Sequence, residues 1–153
     1  MRDLIFEMRA KALCTMSTSP PDLRREYDNN PHIKQHAAVA ALVAQVPGIT
    51  SPTMSAAWLC DAQTTLEQIN YMCGPLVASL VAEMSPGTPL HLVAASPEAK
   101  TIMLARCIVA LRDNPRMPLL HDYVCELLPA LQGGDPELYI KLLETLQVTG
   151  VAA

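Results

Sequence analysis

The sequence predicts an all-α domain, and three observations support that fold class. Apolar residues recur every three to four positions along most of the chain, which is the period of one helix face. The apolar half of the composition is mostly Ala, Leu, Val and Met, with only six aromatic residues, and such residues lose little entropy in a helix. No stretch of useful length alternates between apolar and polar residues, as a strand would. A chain of 153 residues is long enough to bury its own core.

Helix starts are marked by an acceptor side chain directly before a proline. The acceptor can bind an amide of the first turn, and a proline at the first helical position has no amide to satisfy. The pattern occurs five times, at Asn30-Pro31, Ser51-Pro52, Thr88-Pro89, Ser96-Pro97 and Asp135-Pro136. We therefore expect a helix to begin at each of these sites.

The N-terminal part is predicted to be an amphipathic helix over residues 2–14, followed by a polar linker with room for a short helix at 21–27. We divide the chain accordingly into residues 1–30, the N-terminal helix plus linker, and residues 31–153, the main helical domain. The apolar face of the first helix is predicted to contain Leu4, Ile5, Met8, Ala12 and Leu13.

The main domain is predicted to contain helices over residues 31–46, 52–72, 75–84, 97–112, 118–131 and 136–148, with a brief helical turn at 89–95. The 97–112 helix is apolar on nearly every side, which is typical of a central, surrounded helix. In the last helix, Leu138, Leu142, Leu143 and Leu146 are predicted to face inward.

Two architectures fit about six to seven such helices. The first is a compact orthogonal bundle. The alternative is a short HEAT-like stack, because the starts at Ser51, Ser96 and Asp135 lie near the spacing of helical repeats. The shared caps are not accompanied by a shared apolar pattern, which favours the bundle.

Composition and charge exclude several classes of function. The formal charge is −4 and no basic stripe is visible, so we expect no nucleic-acid partner. The longest uncharged stretch, residues 35–60, contains Pro47, Gly48 and Pro52, so we expect no membrane span. Five scattered cysteines without a Cys-x-x-Cys pair predict free thiols, most of them buried, in a reducing intracellular compartment, with the cytoplasm favoured.

Few residues suggest site chemistry. His32 and His36 are four apart on one predicted helix, and so are His121 and Cys125, which makes them weak candidates for metal ligands. Nothing in the sequence brings the two pairs together, so no metal or other cofactor is assigned. Histidines at a polar helix start, and a half-exposed His121 beside a buried Cys125, are the simpler interpretation.

Catalytic residues cannot be named from this sequence. Asp122 and Glu126 are four apart and could divide acid and base roles, but such a pair more often marks the solvated face of a helix. No nucleophile elbow and no phosphate-binding glycine loop occurs. An enzyme is therefore disfavoured, although a site built from distant residues stays open.

One resemblance concerns two short segments. Thr65-Leu66-Glu67-Gln68-Ile69-Asn70-Tyr71-Met72 resembles a helix segment of lentiviral capsid proteins, and Leu120-His121-Asp122-Tyr123-Val124 is similar to the helix beginning in their major homology region. The Gln, Gly and Glu that define that region are absent, since Asn114, Pro115 and Pro118 stand in the corresponding places. The resemblance implies a self-assembling helical subunit and transfers no functional residue.

The sequence favours a non-catalytic helical protein-interaction module that binds a partner helix or another copy of itself. Trp58, Leu4 and Met8 are its candidate interface residues. The alternatives are a self-assembling, capsid-like structural subunit, and a helical enzyme or metal-binding protein whose site the sequence does not reveal.

Overall fold

A computed structural model describes residues 4–18, 31–60, 64–84 and 96–150. The described part is entirely helical apart from its connections, which confirms the all-α class. It contains eight helices: α1 (Leu4–Thr18), α2 (Pro31–Ala44), α3 (Ser51–Leu59), α4 (Leu66–Cys73), α5 (Pro75–Glu83), α6 (Pro97–Asp113), α7 (Pro118–Leu131) and α8 (Pro136–Gly150). The helices predicted at 21–27 and 89–95, and the proposed caps Asn30 and Thr88, lie outside the described residues.

The prediction of about six to seven helices was too low, because the segment predicted as one helix over 52–72 forms two. α3 ends at Leu59, with Cys60 as its C-cap, and α4 begins at a capping box: Thr65 Oγ1 accepts from the Gln68 amide at 3.1 Å, and Gln68 Oε1 accepts from the Thr65 amide at 3.5 Å. This reciprocal pair satisfies two amides at a helix start. The apolar period continues across the break, so periodicity alone did not show it.

The capping residues are as predicted at two of the helix starts. Ser96 Oγ accepts from the Ala99 amide at 3.2 Å, and Asp135 Oδ2 accepts from the Leu138 amide at 3.0 Å. At α3 the prediction was wrong by one residue. Thr50 caps the helix, with Oγ1 3.4 Å from the Thr53 amide, while Ser51 Oγ donates at 3.5 Å to Glu7 Oε2 on α1.

α3 and α6 form the centre of the structure. α6 packs against α2, α3, α5, α7 and α8, and α3 packs against α1, α2, α4, α5 and α6. As expected for a surrounded helix, α6 buries Ile102, Leu104, Ile108 and Leu111 on different sides. Burying such side chains supplies most of the driving force for folding.

The buried face of α1 matches the predicted one only in part: Leu13 packs against the core, as predicted. The helix buries Glu7, Ala10 and Cys14, whereas Met8 and Ala12 are exposed. A carboxylate can be buried when it is hydrogen-bonded, and Ser51 supplies a donor to Glu7. α1 packs against α2, α3 and α4, and the predicted division after residue 30 falls outside the described residues.

The turn between α7 and α8 is attached to the start of α6. Lys100 Nζ donates to the Gln132 carbonyl at 2.9 Å, and the Asp135 amide donates to Thr101 Oγ1 at 3.1 Å. Gly133 has φ +105°, and a Cβ at Gly134 would lie 2.8 Å from Leu104 Cδ1. The two glycines therefore allow the turn to lie directly on α6.

Candidate interaction surface

Large apolar side chains remain exposed in two groups, and the group between positions 66 and 76 contains Leu66, Tyr71, Met72 and Leu76. Of the eleven in the described residues, six lie between positions 117 and 148: Met117, Leu119, Tyr123, Ile140, Leu143 and Val148. Single exposed apolar residues are normal, but a concentration of them marks a surface that favours contact.

On α7 the exposed residues form one stripe. Leu119, Asp122, Tyr123 and Glu126 are spaced i, i+3, i+4 and i+7, which places them on one helix face. Leu119 is 82% exposed and Tyr123 48%. The opposite face buries Val124, Leu127 and Leu131 against the core.

α8 presents a stripe with the same spacing. Ile140, Leu143, Glu144 and Gln147 are all exposed, while Leu138, Leu142 and Leu146 are buried on the opposite side. The prediction that Leu143 faces inward was therefore wrong, because three leucines already fill the inner face and Leu143 stands at its edge. We use the name hairpin face for the exposed stripes of the two helices, one on each: Leu119, Asp122, Tyr123 and Glu126 of α7, and Ile140, Leu143, Glu144 and Gln147 of α8.

The hairpin face rests on a fixed support. The turn is bonded to α6, and near the other end His121 Nε2 lies 3.2 Å from the Leu146 carbonyl oxygen, which joins α7 to α8. Both helices also pack on α6. The exposed stripes are thus held on two helices that are attached to the centre of the structure.

His121 and Cys125 lie together, as their spacing predicts. Since a carbonyl oxygen only accepts, His121 Nε2 donates to the Leu146 carbonyl at 3.2 Å, and the Cys125 thiol lies 3.8 Å from His121 Nδ1. Cys125 is exposed, so the prediction that it is buried was wrong. It lies on the exposed side of α7 with Asp122 and Glu126. Both ring nitrogens of His121 therefore have a partner within the protein.

The other metal candidates do not join this pair. His36 is buried in α2, and the backbone of His32 belongs to the first turn of the same helix. Within the described residues, no group of three or more His, Cys, Asp or Glu is placed to hold a metal ion. Asp122 and Glu126 are both exposed on the hairpin face, the position expected of a solvated helix face.

The candidate interface residues occupy three different environments. Trp58 is half-buried against the core, with Lys11 Nζ 5.5 Å from its ring centroid, a cation–π contact between α1 and α3. Met8 is 69% exposed on α1. Leu4 is the first residue of α1. Sequence reasoning did not identify the exposed stripes of α7 and α8 as a site.

None of the described helices has both the length and the hydropathy needed to cross a bilayer. The sequence matches no family model and no curated protein.

One thiol is expected to react much faster than the other four. Cys125 is exposed, whereas Cys14, Cys60, Cys73 and Cys107 are buried. Burial raises the pKa of Cys60 and Cys73 and raises the pKa of Cys107 to about 11, so these thiols stay protonated at neutral pH. The thiolate is the reactive form.

Titration with Ellman's reagent measures this difference. The native protein should release one equivalent of chromophore rapidly and the remaining four only in guanidinium chloride. Cys125→Ser should remove the rapid phase, and Cys73→Ser should leave it intact. A rapid phase that persists in Cys125→Ser would show that another thiol is accessible.

Proposed function

We propose that this protein is a non-catalytic helical interaction module that binds another protein through the hairpin face. The observation that carries the proposal is the i, i+3, i+4 and i+7 spacing of exposed side chains, apolar ones among them, on each of α7 and α8. Transfer of apolar surface from water to an interface is favourable by about 25 cal/mol per Å². Protein interfaces combine such an apolar centre with a polar or charged rim, which matches the composition of both stripes.

The spacing on the two helices favours a helical partner. Residues at i, i+3, i+4 and i+7 form ridges, and the ridges of one helix pack into the grooves of another. Leu119 and Tyr123 on α7, and separately Ile140 and Leu143 on α8, offer such apolar ridges. The partner can be a different protein or a second copy of this chain, and the second case corresponds to a self-assembling subunit.

Site-specific photo-crosslinking in the cells that produce the protein tests this proposal. A photoreactive phenylalanine analogue at Leu119 or at Leu143 is expected to give a discrete product with one partner, which mass spectrometry identifies. A product of twice the chain mass would identify a second copy. The matched control carries the same analogue at Gln45, which is exposed in the turn after α2.

Purified partner then provides the quantitative measurement. Leu119→Ser combined with Ile140→Ser should weaken binding by at least about tenfold, since apolar anchors carry most of the affinity of an interface. Both residues are exposed, so the melting temperature should change little. The proposal fails if neither hairpin position gives a product, or if Gln45 gives the same product.

A further inference from the structure

We propose that Cys125 is a site of S-thiolation, where the protein forms a mixed disulfide with a small disulfide-bonded compound, and that His121 is the base that takes the proton of its thiol. The reaction needs no protein partner. A nucleophile, a base within reach of it and a third group that orients the base are the usual parts of an activated nucleophile. All three are present around Cys125.

The Cys125 thiol is the one that a reagent can reach. It is exposed on α7, whereas the other four cysteines of the chain are buried. His121 stands four residues before it, which makes the two side chains neighbours on the helix surface. The sulfur of Cys125 lies 3.8 Å from His121 Nδ1. The accessible thiol therefore has a possible proton acceptor beside it.

Leu146 on α8 orients the imidazole ring of His121. The carbonyl oxygen of Leu146, a buried residue, lies 3.2 Å from His121 Nε2 and accepts its proton in a hydrogen bond. In the neutral ring, a proton on Nε2 leaves a lone pair on Nδ1. The hydrogen bond to a second helix therefore turns the basic nitrogen towards the Cys125 sulfur.

The reaction is a thiol–disulfide exchange in which atoms and electrons balance. As the Cys125 sulfur attacks one sulfur of the compound, the thiol proton passes to His121 Nδ1. A bond forms between the two sulfurs and the disulfide bond of the compound breaks. The other half of the compound leaves as a thiolate with the electron pair of the broken bond, and it takes up the proton. The compound is itself the oxidant, so no other co-reactant is needed.

The charges near Cys125 favour a compound that carries amino groups. Asp122 stands three residues before Cys125 and is its neighbour on the helix surface, and Glu126 is the next residue along the chain; both are exposed. α7 contains no lysine or arginine. The two carboxylates attract an ammonium group and repel another carboxylate. Disulfides of small aminothiols are therefore the class of compound expected to react.

Exchange rates of the full chain test the role of His121. Wild-type protein and His121→Gln are incubated with cystamine, and mass spectrometry of the intact protein follows the addition of one cysteamine unit. Glutamine has an amide group that can donate to the Leu146 carbonyl, but it has no basic nitrogen. We expect the variant to react about tenfold more slowly at pH about 7, where an ordinary thiol is only a few per cent ionised. At pH about 9.5, where such a thiol is mostly ionised without a base, the two rates should agree within about twofold.

A matched control places an exposed thiol where no histidine precedes it. Cys125→Ser combined with Gln147→Cys moves the thiol to an exposed position of α8 that has an acidic residue, Glu144, three positions before it, as Cys125 has. Four positions before it stands Leu143 instead of a histidine. This thiol should react about tenfold more slowly than that of the wild-type protein at pH about 7. Cys125→Ser alone should give no rapid addition.

Three disulfides of similar size test the class of compound: cystamine is positive, 2-hydroxyethyl disulfide is neutral and dithiodipropionate is negative. Each rate is divided by the rate with a neutral cysteine peptide, because the departing thiol also affects the rate. At low salt, this ratio should be at least about threefold higher for cystamine than for dithiodipropionate. Asp122→Asn with Glu126→Gln should remove the preference, and so should about 0.5 M salt.

Several results would overturn the proposal. If His121→Gln reacts as fast as the wild-type protein at pH about 7, or more slowly by the same factor at both pH values, His121 is not the base. If circular dichroism shows that this variant is misfolded, the Gln147→Cys control decides, and a rate equal to that of the wild-type protein overturns the role of His121. Equal ratios for the three compounds overturn the assignment to aminothiol disulfides.

Discussion

Replacement of Leu104 with alanine is expected to lower the free energy of unfolding by about 2–5 kcal/mol, the largest effect we expect from a single side-chain truncation in this protein. Leu104 has no exposed surface and lies on α6, which is surrounded by five other helices. The lost methyl groups would leave a cavity whose walls are held by several helices, so collapse would be limited. A small domain is stable by only about 5–15 kcal/mol, so the loss should be easily measured.

Urea unfolding followed by circular dichroism gives the free energy. The matched control is Leu119→Ala, the same truncation at an exposed position of α7, and it should change the free energy of unfolding by less than about 0.5 kcal/mol. Equal losses in the two variants would show that α6 is not the centre of the core.

Replacement of Gly134 with alanine is expected to lower the free energy of unfolding by about 1–3 kcal/mol. The added Cβ would stand 2.8 Å from Leu104 Cδ1 and 3.1 Å from the backbone carbon of Lys100. The leucine side chain could adjust, but the backbone of α6 could not do so without disturbing the Lys100 and Asp135 hydrogen bonds that attach the turn.

A double-mutant cycle separates this steric cause from a general loss of flexibility. In the Leu104→Ala background the closest contact is gone, so Gly134→Ala should cost less there, with a coupling of at least about 0.5 kcal/mol. The Lys100 backbone contact should keep part of the cost. If the two substitutions are strictly additive, the turn does not pack on Leu104 in solution.

Helix boundaries that depend on local chemistry could be predicted from the sequence. Ser96 and Asp135 cap their helices through hydrogen bonds to residues three positions later, and this geometry is a property of a few adjacent residues. The break between α3 and α4 was also readable, since Thr65 and Gln68 have the spacing of a capping box. It was missed because the apolar period continues through it.

Which side of a helix faces inward was harder to predict. On α1, Glu7 is buried and Met8 is exposed, the reverse of their hydrophobicity, and Ser51 on another helix donates a hydrogen bond to the buried carboxylate. The Ser51 hydroxyl is available for that bond because Thr50, and not Ser51, caps α3. The bond joins residues 44 positions apart, so no local pattern contains this information.

The hairpin face could be predicted only in part. The excess of acidic residues after position 117 is visible in the sequence, and so is the spacing of Leu119 with Tyr123. The exposure of Leu143 could not be predicted, since it depends on how α8 is rotated against α6 and α7. The contact between His121 and Leu146 fixes part of that relation, and it joins residues 25 positions apart.

The contact between Lys11 and Trp58 has a practical consequence for spectroscopy. Trp58 is the single tryptophan of the chain, and it lies half-buried on α3 with Lys11 of α1 above its ring. The intrinsic fluorescence of this protein therefore reports the attachment of α1 to α3. Separation of α1 would hydrate the indole and shift its emission to longer wavelength, whereas opening of α7 and α8, which contain only tyrosine, would leave that emission unchanged.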